Sequence, residues 1–219
     1  MTTSKTALGV SRAGVFLAAA LLASICLGGD GPGVSRRPKK LIATGWDMPD
    51  TKRLRENLEE IESRPFDGIV LEVLGRKDDK NKNKNKNTCK LRWAFLDEKW
   101  DRKWFQPAID DLRACKFKKL TDNFILFNAN PGSVDWFDDA GWANIADHWR
   151  IAAWVAKQSG VKGILFDPEP YMRDHKQFSY PLQPARDKHT FAEYRRQARL
   201  RGRQVMKAIS AEYKDITIF

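Results

Sequence analysis

Histidine and cysteine are scarce: the 219-residue chain holds three of each. His148, His175 and His189 lack the spacing that gathers ligands around one ion, so neither a zinc site nor a cofactor is expected. No Gly-rich phosphate loop follows the first apolar run, which argues against a nucleotide-binding, doubly wound sheet. No Gly-x-Ser-x-Gly elbow is present, so serine-hydrolase chemistry has no support. The net charge is +11, yet no basic helix or nucleic-acid motif accompanies it. Much of that charge is local, since residues 76–90 carry seven Lys and Arg against two Asp. Nucleic acid is therefore not an expected partner.

What is present begins with a leader. Lys5 and Arg12 precede an apolar run at 13–29, and small residues (Ser24, Gly28, Gly29) lie near its end. This is the build of a secretory signal peptide or lipoprotein leader. The run is short of the ~20 residues that span a bilayer. Arg36 and Arg37 follow the run rather than precede it, which excludes a twin-arginine signal. Ala23-Ser24-Ile25-Cys26 resembles a lipobox, except that Ile25 stands where a small residue belongs. Membrane attachment through a lipidated Cys26 is one expectation, and an ordinary Cys within a cleaved signal is the other. Either way the chain is expected to be extracytoplasmic: secreted, periplasmic or lipid-anchored. In such a compartment Cys89 and Cys115 can form a disulfide or remain as buried thiols.

A polar linker, residues 30–39, leads into a repeating rhythm over residues 40–219. Short apolar runs at 41–46, 68–73, 123–128, 163–166 and 216–219 read as strands. Helical patterns lie between them: from Asp50 or Thr51 to Pro65, over 106–115, over 142–159 before Gly160, and from about Phe191 to Ile209. The interruption at 78–90, with its KNKNKNKN run, is low complexity and reads as a solvated surface loop, with a polyanion-binding arm as the alternative. Pro131-Gly132 reads as a turn. Alternating strands and helices imply an α/β fold with a parallel sheet wrapped by helices. The expected architecture is a (β/α) barrel of TIM type, incomplete, with about five β/α units; a five-stranded open sheet is the alternative.

Polar residues gather where the strands end: Trp46 and Asp47, Glu72, Asn128 and Asn130, Asp167 and Glu169. Barrel enzymes assemble their sites at that edge. The sharpest feature is Asp167-Pro168-Glu169-Pro170-Tyr171. Two carboxylates two residues apart in an extended segment share a side. Proximity lets one hold a proton while the other stays charged, the division of labour that glycoside hydrolysis uses. A divalent metal held by Glu72, Asp167 and Glu169 is an alternative use. Bland readings stand beside these: Asp167 caps a turn, Glu169 pairs with a nearby Arg, and Glu72 forms a salt bridge at the rim.

The Asp167-x-Glu169 ending resembles that of barrel-type glycoside hydrolases. The chitinase-type family 18 ends its fourth strand in Asp-x-Glu, and the resemblance implies Glu169 as the acid and Asp167 as the residue that orients the substrate. Lys162 and Leu165 stand where that family's longer motif has two further Asp. The large retaining-glycosidase clan has Asn-Glu-Pro after its fourth strand; Glu169-Pro170 match two of these, with Pro168 in place of the Asn. The function this implies is an exported, glycoside-hydrolase-like protein that acts on a polysaccharide or oligosaccharide. Glu72, Trp46, Asn128 and Tyr171 are expected to contact the sugar, Trp46 by offering a flat apolar face. A non-catalytic carbohydrate-binding protein on a degenerate barrel is the further alternative.

Overall fold

The computed structural model describes residues 39–77, 87–132, 134–169 and 177–219. The leader, with Cys26, lies outside the described residues, as do the KNKNKNKN run except Asn87, and Tyr171 and His175. Residues 40–219 form one compact unit. Among the described residues no helix is long and apolar enough to cross a membrane.

The chain begins its sheet with β1 (Ile42–Ala43) and turns into α1 (Thr51–Glu56). Asp50 starts that helix: its carboxylate accepts the Arg53 amide proton at 2.8 Å. The helix does not run on to Pro65 as one piece. Asn57 leaves helical geometry at φ −124°, and its side-chain amide donates to the Arg53 carbonyl at 2.9 Å. A side chain that bonds its own backbone competes with the helical ladder, and the chain resumes as α2 (Leu58–Ser63). The fully buried β2 (Gly68–Leu71) follows.

An antiparallel hairpin, β3 (Leu74–Arg76) with β4 (Thr88–Lys90), brackets the low-complexity run. The loop therefore closes earlier than residue 90, because Cys89 is buried opposite Gly75. Next come β5 (Trp93–Phe95), a short 3₁₀ turn at Arg102–Phe105 and α3 (Gln106–Ala114). The long strand β6 (Phe124–Gly132) passes through the expected turn at Pro131-Gly132, because β5 pairs along its second half, as far as Gly132 opposite Phe95. Helix α4 (Asp139–Ser159) is capped by Asp138, which accepts the amide protons of Ala140 and Gly141, both at 3.0 Å. It stops at Gly160, whose φ of +73° is left-handed. Strand β7 (Gly163–Asp167), a 3₁₀ turn at Tyr180–Leu182, helix α5 (Phe191–Glu212) and strand β8 (Thr217–Ile218) complete the order. A capping box between Thr190 and Glu193 starts α5.

The main sheet has the order β1-β2-β6-β7-β8, with β5 as an extra partner of β6, and every neighbouring pair in it is parallel. The fold is thus α/β with a mostly parallel sheet. Among the described residues the sheet is open, with β1 and β8 at its edges, and no closed barrel forms. Alternation along the strands divides the apolar side chains. Ile69, Leu71, Ile125, Phe127 and Ile164 join the helices in the larger core, where Phe127 meets Trp149 edge-on at 4.7 Å. Val70, Phe124 and Leu126 form a smaller cluster on the opposite face with Ile42, Met48 and Leu165. His148 is fully buried in the larger core, stacked on Trp100 at 3.6 Å with its ring nitrogens against the Ala94 and Glu98 carbonyls.

The strands start on tight backbone approaches. A Cβ at Gly68 would lie 1.7 Å from the Asp122 carbonyl oxygen, and one at Gly163 would lie 1.7 Å from that of Thr217. Asn123 closes the same end: its side chain accepts the Ile69 amide proton at 3.1 Å and donates to the Leu120 carbonyl at 2.8 Å. Asp122 pairs there with Lys40 and Lys162, and the Lys162 ammonium holds its carboxyl below the usual range. Cys89 and Cys115 are free, buried thiols. Burial pushes the Cys89 thiol up to about 12.

Two outcomes follow from this packing. Replacing residues 78–86 by Asn-Gly leaves Lys77 and Asn87, joined by a 2.8 Å backbone hydrogen bond, to close a two-residue hairpin. The thermal midpoint should stay within about 4 °C of the parent, as for a surface change worth roughly 0.5 kcal/mol; a larger fall on calorimetry would give the run a structural role. Iodoacetamide at pH 8 should label neither Cys89 nor Cys115 until denaturant is added. A Cys89 thiol raised when folded also makes stability fall as pH climbs above about 8.5, the ordinary thiol value, where the unfolded chain releases its proton first. Rapid labelling of Cys89 in the native protein would contradict this.

Candidate functional site

The site is set by register. In the β6–β7 pairing Asn128 lies opposite Asp167. Both occupy the face that carries Phe124, Leu126 and Leu165, two positions beyond the last apolar pair on each strand. Glu72 follows Val70 by two residues and so belongs to the same face. Three of the expected residues, Glu72, Asn128 and Asp167, therefore share one face at the C-terminal ends of adjacent strands. A one-residue slip of any one of these strands would send its residue toward the helices.

A chain of polar contacts runs along this edge. The Glu72 amide donates to the Pro49 carbonyl at 3.0 Å, fixing the loop after β1 beside it. The Glu72 carboxylate takes an ion pair from Arg92 at 3.0 Å, and both side chains are largely shielded. The Arg92 carbonyl accepts the Asn128 amide proton at 2.7 Å. The Asn128 side chain, in a residue only 6% exposed, donates to Asp167 Oδ2 at 3.3 Å. Asp167 Oδ1 in turn accepts the amide proton of Glu169 at 3.0 Å. Asp167 thus caps the turn at which the chain leaves the sheet, and Glu169 stands exposed beyond it.

Along this edge two atoms are buried without a hydrogen-bond partner: Asn128 Oδ1, an acceptor, and Arg92 Nε, a donor. A buried unpaired polar group costs about 1–3 kcal/mol. A ligand that both donates and accepts, as a polyhydroxylated one does, would complete both atoms. Arg92 was not singled out from sequence, because it lies in the aperiodic stretch 91–104 and only the pairing of Trp93 with Asn128 brings it here.

The expected set does not assemble as a whole. Trp46 is 98% exposed and lines a different concavity, of about 490 Å³, with Arg53, Asn57, Glu60 and Arg64 in and beside the first two helices. Its loop is fixed by a bidentate pair in which Arg53 donates to both Asp47 oxygens at 2.6 and 2.7 Å, which lowers the Asp47 carboxyl. Tyr171 lies outside the described residues. Neither Asp167 nor Glu169 lines that concavity or the larger apolar one beside α5. The metal alternative has no geometric basis among the described residues: no three His, Cys, Asp or Glu converge, and Glu72 is engaged by Arg92.

The chain matches no protein-family model, and no curated protein or solved structure matches it.

The geometry makes Asn128 a sensitive position. In Asn128→Asp a second carboxyl sits at a buried place beside Asp167. Burial and the neighbouring charge both raise its folded pKa, so the stability it permits is present at low pH and lost as pH rises. Chemical denaturation should show a loss of about 1–3 kcal/mol at pH 7 that shrinks toward zero near pH 4. A cost that does not depend on pH would mean that the two side chains do not meet.

Proposed function

We propose that this chain is an exported, carbohydrate-binding protein of the glycoside-hydrolase type, built on an arc of five β/α units of a TIM-type barrel, with its sugar site at the C-terminal edge of the sheet. The strand order supports the barrel part of this reading. Along the path β1-β2-β6-β7-β8 the strands follow chain order without a reversal, whereas a doubly wound sheet reverses its order at a switch point. The single observation that carries the functional part is the unpaired donor and acceptor, Arg92 Nε and Asn128 Oδ1, buried between two carboxylate-bearing strand ends. Sugar hydroxyls complement such a row, giving a proton to one atom and taking one from the other. Export rests on the leader: the basic start, the apolar run at 13–29 and the small residues near its end.

In this reading Glu169 is the proton donor to the departing glycosidic oxygen, and Asp167 positions it through the turn that its own carboxylate holds. A second reading has a specific observation in its favour. Asp167 is spent on a backbone cap and Glu169 is exposed, whereas a general acid works best sheltered, so the edge can bind sugar without cleaving it.

Hydrolysis of a panel of α- and β-linked oligosaccharides, with binding measured in parallel by calorimetry, separates these readings. In the catalytic one Glu169→Gln lowers turnover about 10²- to 10⁴-fold, the usual worth of a general acid, while sugar affinity stays within about threefold. In the binding one the wild type shows affinity and no turnover. In both, Asn128→Leu weakens binding at least about tenfold by removing the buried acceptor and donor. Unchanged turnover in Glu169→Gln would remove that residue from the chemistry, and absence of any glycan affinity would end the carbohydrate reading.

A further inference from the structure

A second site stands apart from the strand ends, on the helix-covered side of the sheet. Between β7, α4 and α5 lies a cavity of about 560 Å³, within the roughly 300–1,000 Å³ usual for small-molecule pockets. Its walls are rings, among them Phe95, Trp142, Trp149 and Phe166, with Phe178 and Phe191 half exposed beside the opening. Phe95 and Phe166 stack at 5.9 Å, and Trp149 meets Phe166 edge-on at 5.1 Å, so flat faces and edges both front the space.

Three observations indicate that the space is kept for an occupant. The first is Gln177, which is fully buried on the cavity wall. Its side-chain nitrogen donates to the Val134 carbonyl at 3.2 Å, and its backbone carbonyl accepts from the Trp136 indole at 2.7 Å. Held in this way, its Oε1 has no hydrogen-bond partner. The second is Trp149, another wall residue, whose buried indole N–H is also without a partner. The third is Gly202 in the middle of α5. Glycine weakens a helix interior relative to alanine. Neither backbone conformation nor crowding requires it here: a Cβ would meet nothing within 4 Å. Gly202 lines the cavity and is exposed, so the space beside it is open to a larger side chain. The exposed Arg195 lies at the same wall and supplies a positive charge.

We propose that this cavity binds a phenolic carboxylic acid of about the size of a hydroxycinnamate. The aromatic ring lies among the wall rings. The phenol O–H donates to Gln177 Oε1, a polar oxygen or π face meets the Trp149 indole N–H, and the carboxylate reaches toward Arg195. The inference is independent of the sugar site, since no residue is shared between them.

Calorimetric titration of the full chain with 4-hydroxycinnamate and with cinnamate, which lacks the hydroxyl, tests it. The hydroxylated acid should bind at least about tenfold more tightly, because without it Gln177 Oε1 stays unpaired. Gln177→Leu should abolish that preference by weakening only the hydroxylated acid. Gly202→Phe should weaken both acids at least about tenfold while leaving the melting temperature unchanged or higher, since it fills space and removes a helix glycine. No binding by the wild type, equal binding of the two acids, or binding indifferent to Gly202→Phe would each overturn the proposal. Loss of affinity in Gln177→Leu accompanied by a lowered melting temperature would be charged to folding, and Gly202→Phe then decides.

Discussion

The β6–β7 register is the constraint on which the candidate site depends. Five consecutive pairs, Phe124 with Gly163 through Asn128 with Asp167, lock these two strands. Each pair sends its side chains to the same face, so the row that begins with apolar Phe124 and Leu126 must end with Asn128 beside Asp167. The same alternation commits Ile125, Phe127, Ile164 and Phe166 to the helices. Because the side-chain period is two, burial of the larger core and exposure of the polar edge are one decision rather than two. The tight contacts at Gly68 and Gly163, and the buried Asn123 between them, fix where the strands begin and hence where they end.

Much of this was legible in the amino-acid sequence, for physical reasons. Strands buried on both faces read as continuous apolar runs, as β2 does, while β7 is fully buried only at Gly163 and Ile164. The end of α4 announces itself through Gly160, whereas its start lies three residues before the expected 142, behind the Asp138 cap. The elements that stayed hidden lack a local signal. Strand β5 has three residues, flanked by charge, and is a strand only because β6 extends alongside it. The break at Asn57 comes from one side-chain hydrogen bond inside an otherwise helical pattern. Pro131 carries a turn signal that strand pairing overrides.

The site was legible in part. Glu72, Asn128 and Asp167 could be placed on one edge because alternation and strand order suffice for that. Arg92 could not, since its position depends on a non-local pairing. Trp46 was expected at the same cleft, but a short strand β1 ends before it and the Asp47–Arg53 pair fixes its loop toward the first helices instead. The bland readings of Glu72 as an ion-pair partner and Asp167 as a turn cap both describe real contacts. They are compatible with ligand binding, because the atoms that remain unpaired belong to Arg92 and Asn128 rather than to the carboxylates. The aromatic cavity had no sequence signature, being assembled from β5, α4, β7, α5, β8 and loops distant in the chain.

The central claim is that the C-terminal edge of the sheet, and not the Trp46 concavity, is where sugar binds. Amide chemical-shift mapping by NMR during titration with a mixture of oligosaccharides tests it directly. The account predicts perturbations centred on Glu72, Arg92, Asn128, Asp167 and Glu169, with the amides of Asp122 and Asn123 at the opposite end unmoved. Perturbations centred on Trp46, Arg53 and Arg64 with the strand ends silent would contradict it.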